Sequence, residues 1–224
     1  MSNQELEKKT AALRALDYIE NGMIIGLGTG STSKYMIEGL SKRVTEGLSI
    51  KGVPSSEQTA ELARSLNIPL TTLEEEPEID VTIDGADEFD SQKRLIKGGG
   101  GALLREKIIG YNSKQNIIIA DSSKQCEKLG AFRLPIEMIP FASATIIRKL
   151  QQLHIDPQLR KQNETPYRTD ENNFILDTDI HSYNDLEELN QTLLSIPGIV
   201  ETGLFLDTTT RILVGKQGKV EIIE

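Results

Sequence analysis

Cysteine, histidine, long apolar runs and positive charge are all scarce in this 224-residue chain. Cys126 stands alone, so no intrachain disulfide can form, and the reducing cytoplasm is the expected compartment. With only His154 and His181 beside it, a Cys/His zinc site would need almost every such residue to converge. The apolar runs, such as Met23-Ile24-Ile25 and Ile117-Ile118-Ile119-Ala120, are far shorter than the roughly 20 residues of a membrane span. The opening MSNQELEKKT is too polar for a signal peptide. Lysine and arginine number 25 against 34 aspartates and glutamates, a net charge of −9, which argues against a broad nucleic-acid footprint. A small anionic ligand held by local donors is still compatible with that balance.

What is present is enough for a core: 38% hydrophobic residues, with 18 glycines besides, in a length that predicts one domain or one with a sizeable insertion. Ser2-Asn3-Gln4-Glu5 reads as a capping box, and Leu6, Leu13, Leu16 and Ile19 predict a first helix running to about Glu20. Strand and helix then take turns. Apolar segments at 23–27, 50–53, 68–70, 79–83 and 116–120 alternate with helical stretches at 32–45, 55–66 and 102–111. That order predicts parallel strands joined by right-handed helical crossovers, with ligand chemistry where strand C-termini meet helix N-termini. From about Gly130 the rhythm changes to a smaller α+β region, with helices at 142–153 and 185–195 and strands at 199–206, 211–214 and 220–223.

Three segments carry candidate chemistry. GLGTGST at 26–32 fails the dinucleotide fingerprint, because Ser31 stands where the third glycine belongs and no acidic residue follows at the right distance. Its Thr29, Ser31 and Thr32 hydroxyls and its glycines compose an anion cradle of phosphate size at a helix N-terminus, or else an ordinary capped turn. DGADE at 84–88 follows a strand and places carboxylates on the same edge, as a site, an acidic turn or a magnesium ligand set. KGGGGALLREK at 97–107 enters a helix straight from four glycines, which suits close approach of backbone to a ligand better than a linker does. Glu106 on that helix is either a functional carboxylate or a solvated one. Together, a phosphate cradle, carboxylates, one lysine and a helix-borne glutamate suit proton transfer beside a sugar carbonyl, with nearby charge stabilising an enediolate.

These motifs, with ADSSK at 120–124, PIEMIP at 135–140 and PGIVETGLF at 197–205, resemble type A ribose-5-phosphate isomerase over nearly the whole chain. The resemblance implies interconversion of D-ribose 5-phosphate and D-ribulose 5-phosphate in the non-oxidative pentose phosphate pathway, through a cis-enediolate and without metal or organic cofactor. It implies Glu106 as the base moving the proton between C2 and C1, Asp84 in ring opening and hydroxyl proton transfer, and Lys97 at the developing oxyanion. Asp87 would bind substrate hydroxyls within the segment Asp84, Gly85, Ala86, Asp87. Thr29, Gly30, Ser31 and Thr32 would form the substrate loop, Gly98, Gly99 and Gly100 would line the reacting end through their amides, and Lys124 matches a substrate-contacting position. Lys8, on the first helix beside Lys9, resembles a lysine that the family can place near the phosphate.

The fold implied is α/β: a Rossmann-like, mostly parallel sheet with helices on both faces over 1–129 and 204–224. A smaller ferredoxin-like α+β unit over 130–203 would make subunit contacts in a homodimer or dimer of dimers. Other sugar-phosphate isomerases, an amino-sugar phosphate deaminase and a non-catalytic sugar-phosphate sensor are the rival readings. The last lacks any basic helix-turn-helix segment.

Overall fold

The structure, a computed structural model, describes residues 2–224. In chain order the first part comprises α1 (Asn3–Ala15), β1 (Ile24–Leu27), α2 (Ser31–Thr45), β2 (Lys51–Pro54), α3 (Glu57–Ser65), β3 (Ile79–Asp84), β4 (Glu88–Phe89), β5 (Leu95–Ile96), α4 (Leu103–Tyr111) and β6 (Ser113–Asp121). The remainder comprises β7 (Leu134–Met138), α5 (Ser143–Gln152), β8 (Pro157–Leu159), β9 (Lys161–Gln162), β10 (Thr165–Pro166), β11 (Phe174–Thr178), α6 (Leu186–Leu194), β12 (Ile199–Thr202), β13 (Leu204–Phe205), β14 (Arg211–Lys216) and β15 (Lys219–Ile223).

The principal sheet has the order β15-β14-β6-β3-β1-β2, parallel throughout except for the antiparallel edge strand β15. Because successive side chains point to opposite faces, Ile25, Leu27, Val81, Ile83, Ile117, Ile119 and Leu213 pack against α1 and α2. Ile118, Ala120, Ile212 and Val214 pack on the other side against Phe89, Leu95 and Phe205. These last three belong to a small antiparallel sheet, β13-β5-β4, that the sequence did not predict. Its strands are two residues long and owe their form to pairing with one another.

A third sheet, β12-β7-β11-β8, is wholly antiparallel and shares an apolar core with α5 and α6. The chain order β7-α5-β8, β11-α6-β12 on that strand order is the ferredoxin-like arrangement. The chain is therefore α/β with a mostly parallel central sheet, as expected. Two details differ from the sequence reading. The first helix ends at Ala15 and passes into a 3₁₀ turn at Leu16–Tyr18, where the Leu16 carbonyl accepts from the Arg43 guanidinium at 2.6 Å. The 68–70 segment makes only an isolated bridge, between Leu70 and Gly52. Among the described residues no helix is long and apolar enough to cross a membrane.

What positions the site is the reversal of strand order at β1, which has β2 on one side and β3 on the other. In such sheets ligands lie beyond the strand C-termini at this point, and here the loops after β1 and β3 meet there. Helix α1 is held over the same edge by Glu7, a buried carboxylate. It accepts from the Ser122 hydroxyl at 2.7 Å, the Ser122 amide at 3.2 Å and the Gln217 amide at 3.2 Å. The Ser122 hydroxyl, chief among these donors, holds the Glu7 pKa below its usual value.

Candidate active site

The loop after β1 is shaped by close backbone packing. The Gly28 amide donates to the Ile83 carbonyl at 3.0 Å, and a Cβ on Gly28 would lie 2.5 Å from Asp84 Cα, so only glycine fits there. Gly30, at φ +105°, turns the chain into α2 in a conformation that side chains disfavour. The Thr29 amide donates to Asp84 Oδ1 at 3.0 Å, tying the two loops together. The Thr29 hydroxyl is engaged within the fold, contacting the hydroxyls of Ser55 and Ser56 at 2.8 Å and of Thr59 at 3.1 Å. Of the three hydroxyls in the expected cradle, Ser31 and Thr32 are the ones at the N-terminus of α2 without such a commitment, where amides and helix dipole favour an anion.

At the other end of the site lies a buried charge cluster. Lys97, at the end of β5, has its ammonium 3.1 Å from Asp84 Oδ2 and 3.3 Å from Glu106 Oε1, and it also donates to the Gly85 carbonyl. All three side chains are buried, with residue exposures of 3% for Lys97, 2% for Asp84 and 7% for Glu106. Glu106 is thus not a solvated surface carboxylate. Burial is the largest influence on it and pushes its pKa up to about 8, with Asp84 and Asp87 adding to the rise and the Lys97 charge opposing it. Burial works against the charge of Lys97, yet the facing Asp84 and Glu106 carboxylates outweigh it and hold the ammonium firmly protonated. Glu106 Oε2 is buried and has no hydrogen-bond partner among the described residues, so one carboxylate oxygen is held by Lys97 and the other is free to take a proton.

Between these two ends is a cavity of about 140 Å³ whose wall includes residues 29–32, Gly85, Ala86, Asp87, Lys97, Gly98, Gly100, Glu106 and Lys124. Lys8 and Gln4 of α1 also reach it, and Lys8 is paired with Glu5 at 2.8 Å. Nothing in the sequence pattern singles out Gln4; α1 brings it there through the anchoring of Glu7. Asp84 and Gly99 are not part of this wall: Asp84 Oδ2 is on the Lys97 ammonium, and the Gly99 amide donates to Asp87 Oδ2 at 2.7 Å. His154 and His181 lie outside the cavity. Among the described residues no three His, Cys, Asp or Glu side chains are grouped as a metal ion would need.

The family model of ribose 5-phosphate isomerase A (phosphoriboisomerase A) matches residues 51–219. A curated relative from Parvibaculum lavamentivorans, named ribose-5-phosphate isomerase A, is 46% identical and covers 99% of this chain and 99% of its own length. The chain belongs to the ribose 5-phosphate isomerase A family. Two solved ribose 5-phosphate isomerases carry the same fold from end to end. One, from Methanocaldococcus jannaschii, is 37% identical with a TM-score of 0.94, and the match covers 100% of both chains. A second, in complex with phospho-erythronic acid, is 39% identical with a TM-score of 0.95 and the same full coverage. The glycine loop at 26–32 precedes the segment matched by the family model and falls within these full-length alignments to ribose 5-phosphate isomerase relatives.

Proposed function

We propose that this chain interconverts D-ribose 5-phosphate and D-ribulose 5-phosphate, with the free Oε2 of buried Glu106 as the proton-transferring atom. That orphaned oxygen, on a carboxylate raised toward neutral pH and facing a small polar cavity, is the observation that carries the reading. The phosphate lies at the N-terminus of α2 against Ser31, Thr32, Lys8 and Lys124, and the open-chain aldose extends toward Lys97. Glu106 takes the C2 proton as the electrons move to the C1 carbonyl oxygen, which leaves a cis-enediolate. Lys97 and the amides of the glycine loop stabilise its negative charge. Delivery of the same proton to C1 regenerates a carbonyl at C2, while a second proton passes from the C2 oxygen to the C1 oxygen through the Lys97–Asp84 pair. Asp87 holds the substrate hydroxyls.

One relative was solved with phospho-erythronic acid, a phosphorylated sugar acid whose planar carboxylate has the shape and charge of an enediolate, and this supports the assignment. We further assign residues 1–129 and 204–224 to catalysis and 130–203 to subunit contacts in a homodimer or dimer of dimers. The exposed apolar side chains Ile139, Phe141 and Leu194 on the smaller unit support this. A single, partly buried cysteine fits work in a reducing cytoplasm.

The test is ribulose 5-phosphate formation from ribose 5-phosphate by the purified protein in excess EDTA, with ribose as the unphosphorylated comparison. Glu106→Gln keeps the shape and loses the base, so turnover falls by about 10² to 10⁴-fold. Binding without turnover in the wild type would make the chain a sensor. Ammonia release from an amino-sugar phosphate would make it a deaminase, and loss of activity in EDTA would reopen Asp84 and Asp87 as metal ligands.

A further inference from the structure

The glycine loop that carries Lys97 into α4 is gripped from outside the cavity by a side chain of the smaller sheet. Arg160, between β8 and β9, donates from Nη1 to the Gly98 carbonyl at 2.8 Å and to the Gly99 carbonyl at 3.2 Å. Its guanidinium is fixed in turn by both oxygens of Asp177 on β11, with Nε 2.9 Å from Oδ2. It lies 5.9 Å from the centre of the Tyr167 ring, and the Tyr167 hydroxyl donates to the Gly100 carbonyl at 3.3 Å. The carbonyls of three consecutive glycines are therefore taken by one arginine–tyrosine pair.

A trans peptide points its carbonyl and its amide in opposite directions, so holding the one aims the other. The 98–99 peptide shows this directly: its carbonyl is on Arg160 and its amide, on Gly99, is on Asp87 Oδ2 at 2.7 Å. The same geometry applied to the 99–100 peptide turns the Gly100 amide away from Arg160. Gly100 lines the cavity and its amide has no partner among the described residues. We propose that Arg160 is a positioning residue for the isomerisation: by fixing these two peptide planes it orients the Asp87 carboxylate and presents the Gly100 amide to the developing enediolate. This inference rests on the isomerase reading above. Arg160 touches no reacting atom. Its effect comes from preorganisation, since donors already aimed at the developing charge need not reorganise during the reaction.

The experiment is steady-state kinetics on ribose 5-phosphate for wild type, Arg160→Met and Arg160→Lys, with the affinity of phospho-erythronic acid measured in parallel and folding followed by circular dichroism. Arg160→Met is expected to lower kcat by about tenfold or more while the KM changes by less than about threefold, because a small misplacement of catalytic donors falls on the transition state. Affinity for phospho-erythronic acid should fall by a similar factor to kcat. Arg160→Lys, which keeps the charge and one donor to the loop, should recover part of both losses. A purely structural arginine would instead lower the melting temperature and leave kcat per folded molecule and analogue affinity unchanged, and that result overturns the inference. If Arg160→Met does not fold, Arg160→Lys decides alone: kcat and analogue affinity both equal to wild type would overturn it, and a parallel loss in both would sustain it. Wild-type protein inactive on ribose 5-phosphate would remove the isomerase reading and this inference with it. Active wild type with an unimpaired, folded variant removes the inference alone.

Discussion

Replacing Lys97 by methionine separates the electrostatic work of that residue from its bulk. The ammonium lies 3.3 Å from Glu106 Oε1 and 3.1 Å from Asp84 Oδ2. Unit charges 3.3 Å apart attract by about 5 kcal/mol at an effective dielectric constant of ~20, an upper figure for what Lys97 contributes to keeping Glu106 ionised. Water entering the vacated space offsets part of it, so the Glu106 pKa should climb from about 8 by roughly one to three pH units. The direction is fixed by charge alone: removing a neighbouring cation disfavours the carboxylate, and the acid limb of kcat/KM moves alkaline. The maximal rate falls as well, by about 10² to 10³-fold if Lys97 stabilises the oxyanion.

Stability supplies an independent check on the same variant. Without its cation the Glu106 carboxylate is favoured still less, so its folded pKa lies further above the unfolded one than in the wild type. Below about pH 8 Glu106 is protonated in both folded proteins and its share of the variant's deficit does not change with pH; that share grows as pH rises above the wild-type value near 8, until the variant's own value is passed. The assays are the pH profile of kcat/KM between about pH 6 and 10 and denaturant unfolding at about pH 7 and 9.5. An acid limb that stays in place, or moves to lower pH, would refute the electrostatic account. So would a deficit that does not grow with pH.

In the wild type, the Glu106 value near 8 predicts that kcat/KM rises steeply from weakly acidic to weakly alkaline solution, and a flat profile there would remove Glu106 as the titrating base. Lys124→Ala should raise the KM for ribose 5-phosphate several-fold with little change in kcat, because it acts on a phosphate that is bound throughout the reaction; steady-state kinetics separates the two. Gly28→Ala forces a methyl group to within 2.5 Å of Asp84 Cα and should cost about 1–3 kcal/mol, with loss of activity, whereas Gly22→Ala, at φ +90° with nothing within 4 Å, should lose some stability through its backbone and leave activity intact. Denaturant melts and turnover of the two variants decide it. Glu7→Gln should lose stability relative to wild type at neutral pH and approach it in acid, since a carboxyl of lowered pKa contributes its stability above the unfolded pKa and gives it up as pH falls; urea midpoints across pH report this.

The parts of the site that were legible in the sequence are those built from contiguous residues. Each of the segments at 26–32, 84–88 and 97–107 is a strand or helix terminus with its ligand-facing groups in a row, and strand–helix alternation alone puts all three on one edge. What escaped depends on residues distant in sequence. Strands β4 and β5 are too short to show a period and exist because Leu204–Phe205 pairs with Leu95–Ile96. Nothing in GLGTGST reveals Ser55, Ser56 and Thr59 crowding around the Thr29 hydroxyl. Whether Glu106 was solvated or buried could not be decided from a helix whose Arg105 and Lys107 are both charged. In the fold Arg105 turns outward to Glu57 and Glu171, while Lys107 is drawn inward by Glu201 and the carbonyls of Thr202 and Leu204. Arg160 and Tyr167 lay in a polar stretch with no motif at all.

The anchoring of α1 bears on the order in which the molecule can be assembled. Gln217, which donates to Glu7, belongs to the turn joining β14 to β15, and a Cβ on Gly215 of β14 would lie 1.9 Å from the Glu7 carbonyl oxygen. Helix α1 is therefore seated by a turn that follows it by 210 residues in the chain. Until β14 has slotted in beside β6, the small-residue face formed by Ala11, Ala12 and Ala15 lacks part of its floor, and Lys8 has no fixed place in the cavity wall. Closure across such a sequence separation is slow compared with local helix formation, so α1 can be helical well before it is seated. Competence to bind the sugar phosphate thus arrives as a single late event and does not accumulate motif by motif.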